Sequence, residues 1–389
     1  MTTTYDVLVV GGGPIGAATA REAAQQGACV GLVERRDTTN GPAACTGLVT
    51  PRTLDTLEAS DVCVLRTIRA VDVLSPTGRV LSLRSSEPKA VVIDRSILER
   101  DLLTQAAAAG VDVRMNTQAT SAAGGRVTLK TRGAAKTVSA SVIVGADGPH
   151  STVAQWFGLP ACEFLPAAQA VVQCEEPVVQ DRVTVFVGAD CAPGFFAWSV
   201  PAEPGRCRIG LATAAGPKAY LDRLLEAYQP NARVLTYTYG SIPIEAQSRI
   251  VSGRAILVGD AAGHVKPLSG GGLYFGGLCS RIVGCAAAEA AKTGDYSALR
   301  SCAAECDDAI GAEIRFGRLA RTALLRLPDT QIDKLFDAVD DPRVLRMLAT
   351  AADIDYPSRL LRDIRRSPRV LARLLPFVSL LVSRQESAN

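Results

Sequence analysis

The chain has eleven cysteines but no Cys-x-x-Cys pair. That spacing is the usual way of delivering thiolates to zinc or to an iron–sulfur cluster, so neither centre finds support and no metal site is expected. A secretion signal is missing too, because the first apolar run, Tyr5 to Val10, passes straight into glycines as a strand does. Cysteines without such a signal suggest a reducing compartment, where most serve as small buried hydrophobes. No run reaches about 18 uninterrupted apolar residues, so no membrane-spanning helix is expected. Charge excess is also absent. The net value of +3 is too weak to argue for a nucleic-acid partner. Histidine is scarce, with only His150 and His264.

What is present describes a folded protein. The 389 residues exceed one typical core, so two or three structural units are expected. A composition of 48% hydrophobic and 21% charged residues is that of a globular chain. Tyr5 to Val10 runs into Gly11-x-Gly13-x-x-Gly16, with Pro14 opening an Ala-rich helix to about Gln26. In such a turn the first glycine permits the bend, the second lets a pyrophosphate approach the backbone, and the third allows helix–strand contact. The second strand, Cys29 to Val33, ends at Glu34, 23 positions after Gly11, where an acid can bind a ribose hydroxyl pair. A carboxylate there repels a 2′-phosphate, which favours FAD or NAD over NADP. Arg35 and Arg36 follow, and are expected to be solvated or stacked on an adenine.

The regular strand–helix repeats of an NAD dehydrogenase do not follow. A long loop, 35–50, contains Cys45-Thr46-Gly47-Leu48, and a helix over Pro51 to Leu57 comes next. Two β segments, Ala70–Leu74 and Arg79–Arg84, precede a strand at Val91 and a helix from Arg95 to about Ala109. A return strand at 111–115 and a hairpin, 126–131 with 136–139, lead to the buried strand Ser141–Gly145, which ends in Ala146-Asp147-Gly148. Five further strands between 168 and 242 suggest a largely antiparallel insertion. Finally Ala255–Val258 enters Gly259-Asp260-Ala-Ala-Gly-His264-Val-Lys266-Pro-Leu-Ser-Gly270-Gly271-Gly272, followed by a helix over Leu278–Ala291. A strand-end acid, a glycine turn and a helix start suit an anionic cofactor.

The three glycine-containing elements together resemble the FAD-binding pattern of the glutathione-reductase-type flavoproteins, in the branch of aromatic hydroxylases and geranylgeranyl reductases. The finer motifs look most like the geranylgeranyl reductase family, which reduces isolated double bonds of polyprenyl chains. Cys45-Thr46-Gly47-Leu48 resembles its Cys-x-Gly-Gly loop, with Leu48 replacing the last glycine. Phe196-Ala-Trp198-Ser-Val200-Pro201 followed by Gly210-Leu211-Ala212 resembles a substrate-site signature, with Val200 and Ala212 as departures. Lys266 to Gly272 resembles the segment beside the flavin.

The resemblance implies an α/β fold: a Rossmann-like FAD-binding domain (1–67, 88–157 and 250–300), an inserted mainly antiparallel β-sheet substrate domain (68–87 and 158–249) and a helical C-terminal region (301–389). It implies FAD contacts from Gly11, Gly13, Pro14, Gly16, Glu34, Arg35, Cys45, Thr46, Gly47, Arg95, Asp147, Gly148, Asp260 and Gly270 to Gly272. Phe196, Trp198, Pro201 and Gly210 become substrate-pocket residues, with Phe195 on the opposite face. Cys45 and His264 are the candidates for the proton step, and His150 is expected to be structural or solvent-facing.

Reduced FAD is expected to supply the hydride to a prenyl lipid or prenyl diphosphate. No second dinucleotide fingerprint is visible, so the electron donor is read as transient NAD(P)H or a small ferredoxin-like redox protein. A flavin monooxygenase or halogenase is the rival reading, and a non-enzymatic flavin- or lipid-binding protein the third. From Arg359 to Arg384, seven arginines and one acid alternate with apolar residues. Such helices either lie on anionic membranes or cap the substrate domain. The expected location is cytoplasmic, with peripheral contact at the inner face of the membrane as an option.

Overall fold

The computed structural model describes residues 3–39, 44–174, 179–214 and 216–374. An eight-stranded sheet carries the order β17-β18-β11-β1-β2-β8, from Val251–Ser252, Ala255–Leu257, Ala134–Gly145, Thr4–Val10, Val30–Val33 and Asp112–Arg114. The hairpin of β9 (Thr117–Ala123) and β10 (Arg126–Thr131) adds antiparallel to β11. The central pairs of β1 with β2 and with β11 are parallel. Val7 and Val9 face one hydrophobic cluster, while Leu8 and Val10 face another. A strand apolar on both faces must be covered on both, which is why β1 reads as a continuous hydrophobic run.

Helices α1 (Pro14–Gln25), α3 (Arg95–Ala108) and α6 (Leu273–Thr293) cover the first of those faces. Their approach is close because small residues line it. A Cβ on Gly284 would stand 2.5 Å from Glu22 Cβ, and one on Gly276 would stand 2.8 Å from Ile15. This contact corrects the expected start of α6 at Leu278. Gly276 and Gly277 are inside the helix as contact residues, and the glycine turn ends at Gly272.

The second sheet has seven strands in the order β16-β12-β15-β14-β13-β5-β6: Arg233–Pro243, Phe164–Gln173, Arg206–Ala212, Ala197–Pro201, Arg182–Phe186, Ala70–Leu74 and Val80–Arg84. All its pairs are antiparallel except β13 with β5. α5 (Pro217–Tyr228) packs Leu221, Leu224 and Leu225 against it. A small third sheet, β3-β7-β4 (Leu48–Val49, Ala90–Ile93, Val64–Ile68), lies beside α2 (Pro51–Leu57) and α3 in sequence. α4 (Thr152–Trp156) follows β11.

Beyond α6 come α7 (Ser297–Cys306), a π-helical stretch over Asp307–Gly311, and α8 (Ala312–Leu325). Then follow α9 (Asp329–Val339), α10 (Pro342–Ala351) and α11 (Ser358–Arg365). Among the described residues no helix is long and apolar enough to cross a membrane. The eleven cysteines are free thiols, and seven of them are buried. The FAD-type α/β architecture, with its mainly antiparallel second sheet and C-terminal helices, is the one the sequence led us to expect.

Candidate active site

Residues of the second and third sheets, with the turns that leave strands of the first, wall a cavity of about 890 Å³, near the top of the roughly 300–1,000 Å³ range of small-molecule sites. One part of its wall is the first glycine turn, with Gly13, Pro14 and Gly16. Gly11 has φ +109°, and a Cβ there would meet the Ala146 carbonyl oxygen at 2.3 Å. A Cβ on Gly16 would strike Gly11 O at 1.9 Å, whereas one on Gly13 would enter open space. Nothing caps α1: Gly13 has no side chain to offer its amides and the first turn holds no acid. The positive end of the helix is therefore left for a ligand's anion.

Glu34 closes this turn from behind rather than lining the cavity. Its Oε2 accepts from Gly12 N at 2.8 Å, and its Oε1 from Arg36 N at 2.9 Å and Arg36 Nε at 3.0 Å. Burial would push the carboxyl up, but the bonds from Arg36 and Gly12 outweigh it and hold it below the usual range. Arg36 also pairs with Glu99 at 2.9 Å, so it bridges two carboxylates while its side chain stays exposed. Arg35 is exposed and lines the cavity.

The second glycine turn contributes Gly270, Gly271 and Gly272, again in front of a helix, α6, without a side-chain cap. Lys266 sits in the wall beside it and forms a buried ion pair with Asp355, Nζ to Oδ1 at 2.7 Å. Asp355 Oδ2 accepts from Thr50 at 2.6 Å and from Arg52 at 3.3 Å. Asp260 also lines the cavity, and its carboxylate has no hydrogen-bond donor among the described residues. Burial pushes that carboxyl up and Arg95 opposes the shift. A buried acid aimed at open space is matched to a ligand hydroxyl.

The Cys45 loop forms a third wall. Arg95 Nη1 lies 3.7 Å from Cys45 Sγ, and the Gly47 amide donates to the same sulfur at 3.4 Å. Arg95 is itself fixed by Glu99 at 2.9 Å. Two residues that sequence reasoning missed hold this loop. Arg208 donates to Thr46 O at 2.8 Å and Ile93 O at 2.9 Å. Gln169 donates to Cys45 O at 3.2 Å and accepts from Trp198 Nε1 at 3.1 Å. The available signal was Arg208, a charge set among the apolar positions 207–212 of β15.

Phe196 and Trp198 line the cavity, together with Leu48, Ile68, Val183 and Val200. Pro201 and Gly210 do not. Gly210 lies beneath the indole instead, where a Cβ would meet Trp198 at 2.7 Å. Phe195 does not oppose Phe196: both precede β14, and their rings stack at 4.3 Å.

Two further expectations are corrected. The Asp147 carboxylate is taken up by the start of α4, accepting from Ser151 Oγ at 2.6 Å and Thr152 N at 2.7 Å. Its neighbours Ala146 and Gly148 line the cavity instead. His264 is buried outside the cavity wall with an unpartnered Nδ1, and burial pushes its imidazole below the usual range. A neutral ring without access to the cavity has no proton role there. His150 is exposed and bonded to Ser241 at 2.9 Å.

Uncapped helix starts, a waiting buried acid and glycines that leave open space fit FAD. Residues 4–309 match the FAD binding domain family, which defines the class: an FAD-dependent oxidoreductase. Digeranylgeranylglycerophospholipid reductase of Methanosarcina mazei is 28% identical over 89% of this chain and 91% of its own. The protein of that name from Methanocella arvoryzae is 30% identical over 81% and 86%. A geranylgeranyl bacteriochlorophyll reductase-like structure from Thermoplasma acidophilum superposes with a TM-score of 0.83 at 23% identity, covering 97% of this chain and 100% of that one. The chain belongs to the geranylgeranyl reductase family of FAD-binding proteins.

Proposed function

We propose that the protein hydrogenates carbon–carbon double bonds of geranylgeranyl chains, carried on ether-lipid precursors or prenyl diphosphates. The observation that carries this reading is the apolar wall of Ile68, Val183, Phe196, Trp198 and Val200, continuous with both glycine turns in one cavity. FAD, when bound and reduced, supplies the hydride. The chain's residues do the rest. The α1 amides and Gly148 hold the dinucleotide, Asp260 takes a hydroxyl, and the Gly270–Gly272 amides stabilise negative charge. Cys45 Sγ is the proton source, and Arg95 and the Gly47 amide, which point donors at the sulfur, stabilise the charge left there when the proton goes. The wall excludes water from the reacting carbons.

In this reading 1–67, 88–157 and 250–300 form the FAD-binding unit, 68–87 and 158–249 the substrate unit, and 301–389 the C-terminal region, whose described residues form a helical cover. NAD(P)H or a ferredoxin-like protein delivers electrons. Arg359, Arg362 and Arg365 on α11 are exposed and suited to an anionic membrane surface. The remainder of that basic segment, 375–389, lies outside the described residues. Anaerobic incubation of the reduced protein with geranylgeranyl diphosphate and a geranylgeranylated glycerophospholipid, read by product mass, tests the function. Mass gains of two hydrogens per double bond are expected. Turnover that requires oxygen would favour a monooxygenase or halogenase instead.

A further inference from the structure

One stretch of the cavity wall is cationic and has no counter-charge. Arg69 and Lys89 both line the cavity and both are half-buried. The backbone places them at one corner: Ser85 N donates to Arg69 O at 2.8 Å, and Lys89 N to Ile68 O at 3.0 Å. Arg69 gives an N–H to the Ser86 carbonyl. Lys89 Nζ donates to Thr350 O at 2.9 Å and Ala352 O at 3.4 Å, at the end of α10. Neither cation has a carboxylate within ion-pair distance among the described residues.

Of the other cations in the same wall, all but the exposed Arg35 are paired among the described residues. Arg84 meets Asp181 at 2.6 Å, Lys266 meets Asp355 at 2.7 Å, and Arg36 and Arg95 share Glu99. The carboxylates in the wall are Glu99 and Asp260, and Glu99 is already committed. Carbonyl bonds satisfy only some of the three ammonium and five guanidinium donors and none of the charge. These two half-buried cations, beside Ile68, Ala70 and Leu83, keep N–H donors and charge available to a ligand's anion. Ser85, also in the wall, accepts from Glu87 N at 3.1 Å and keeps its hydroxyl proton to donate.

We propose that Arg69, Ser85 and Lys89 form a subsite for a phosphate ester or diphosphate at the head of the apolar substrate chain. The assignment rests on the prenyl reading of the cavity above. It runs the chain from this corner along Ile68 and Val183 toward Trp198 and the second glycine turn.

The test uses the FAD-loaded full chain and the double variant Arg69→Gln/Lys89→Gln, with Arg69→Lys/Lys89→Arg as the charge-keeping control. Calorimetric titration with inorganic pyrophosphate should show binding at least tenfold weaker in the Gln variant and within about threefold of wild type in the control. Equal binding by wild type and Gln variant, or none by wild type at millimolar concentration, would overturn the subsite. In turnover, the KM for geranylgeranyl diphosphate should rise about tenfold or more with kcat preserved, while the KM for geranylgeraniol stays unchanged. A geranylgeranylated glycerophospholipid in parallel separates the anion sources: a matching KM rise assigns the lipid headgroup, a rise for the diphosphate alone the free ester. A wild-type protein that reduces none of these substrates would remove the proposed function, and the pyrophosphate titration would still decide the subsite.

Discussion

Two glycine turns face the cavity, each in front of an uncapped helix, and they are held in place by different means. The first is fixed by backbone contact. Ala146 O fills the space of a Gly11 side chain, and the farthest partner of Gly12 in sequence is Glu34, 22 positions away. The second closes on itself through Gly270 N to Lys266 O at 2.8 Å and Lys266 N to Gly271 O at 3.2 Å. Its lysine is then anchored to Asp355, beyond the FAD binding domain match that ends at 309. The first turn is held by backbone packing against Ala146. The second is only as well placed as the C-terminal arm, whose Asp353 also grips Arg52 and whose Tyr356 hydroxyl meets that of Tyr274 at 2.9 Å.

The largest effect is expected where backbone space is full. Gly11→Ala combines a positive φ with a carbonyl clash and should cost about 4 kcal/mol and abolish FAD retention. Gly13→Ala in the same turn should leave the melting temperature nearly unchanged yet weaken FAD binding, since its Cβ enters open space. Equal melting temperatures for the two variants would break the backbone account. Next, Lys266→Met leaves Asp355 to the half-exposed Arg52 and to Thr50 and should cost about 2 kcal/mol in chemical denaturation. Lys266→Met/Asp355→Leu should recover most of that loss, and a double variant no better than the single one would show that the pair is not what anchors the turn.

Arg208→Met removes two buried bonds from the Cys45 loop and should cost about 2 kcal/mol. It should also speed alkylation of Cys45, and a thiol no more reactive than wild type would show the loop to be held otherwise. The smallest effect concerns Glu34. Its folded carboxyl is depressed below the ordinary 4.5, so its contribution is complete above that value and is lost as pH falls through the lower folded one. Glu34→Gln should cost about 1 kcal/mol at neutral pH and flatten the acid limb of the stability curve. An unchanged acid limb would mean that the Arg36 bonds do not hold the charge.

Sequence was most informative where chemistry is local. The bounds of α2, β5 and β10 were legible because proline, turn residues and alternation mark them. The first glycine turn was legible because its glycine spacing lies within one strand–turn–helix unit, although Ala146 and Glu34 press on it from elsewhere in the sequence. Reading failed where a residue's partner is distant or its surroundings are decided by packing. Gly276 and Gly277 looked like loop because a helix-contact glycine and a turn glycine are the same letter. Asp147 looked like a cofactor ligand because nothing in the sequence tells a helix-capping acid from a free one. Gln169 and Arg208 were missed because their targets are carbonyls 124 and 162 positions away. Asp355 escaped for the same reason, sitting 89 positions from Lys266.

That last separation has a meaning in time as well as in space. On a ribosome adding roughly 5–20 residues per second, Lys266 is made some 5–20 s before the carboxylate that neutralises it, the two being 89 residues apart. Both glycine turns therefore exist as nascent chain while the wall that includes Leu348, Ala352 and Ile354 has yet to be synthesised. Order of synthesis leaves the cavity open on its arm side throughout that interval, and the arm is the last of its walls to arrive.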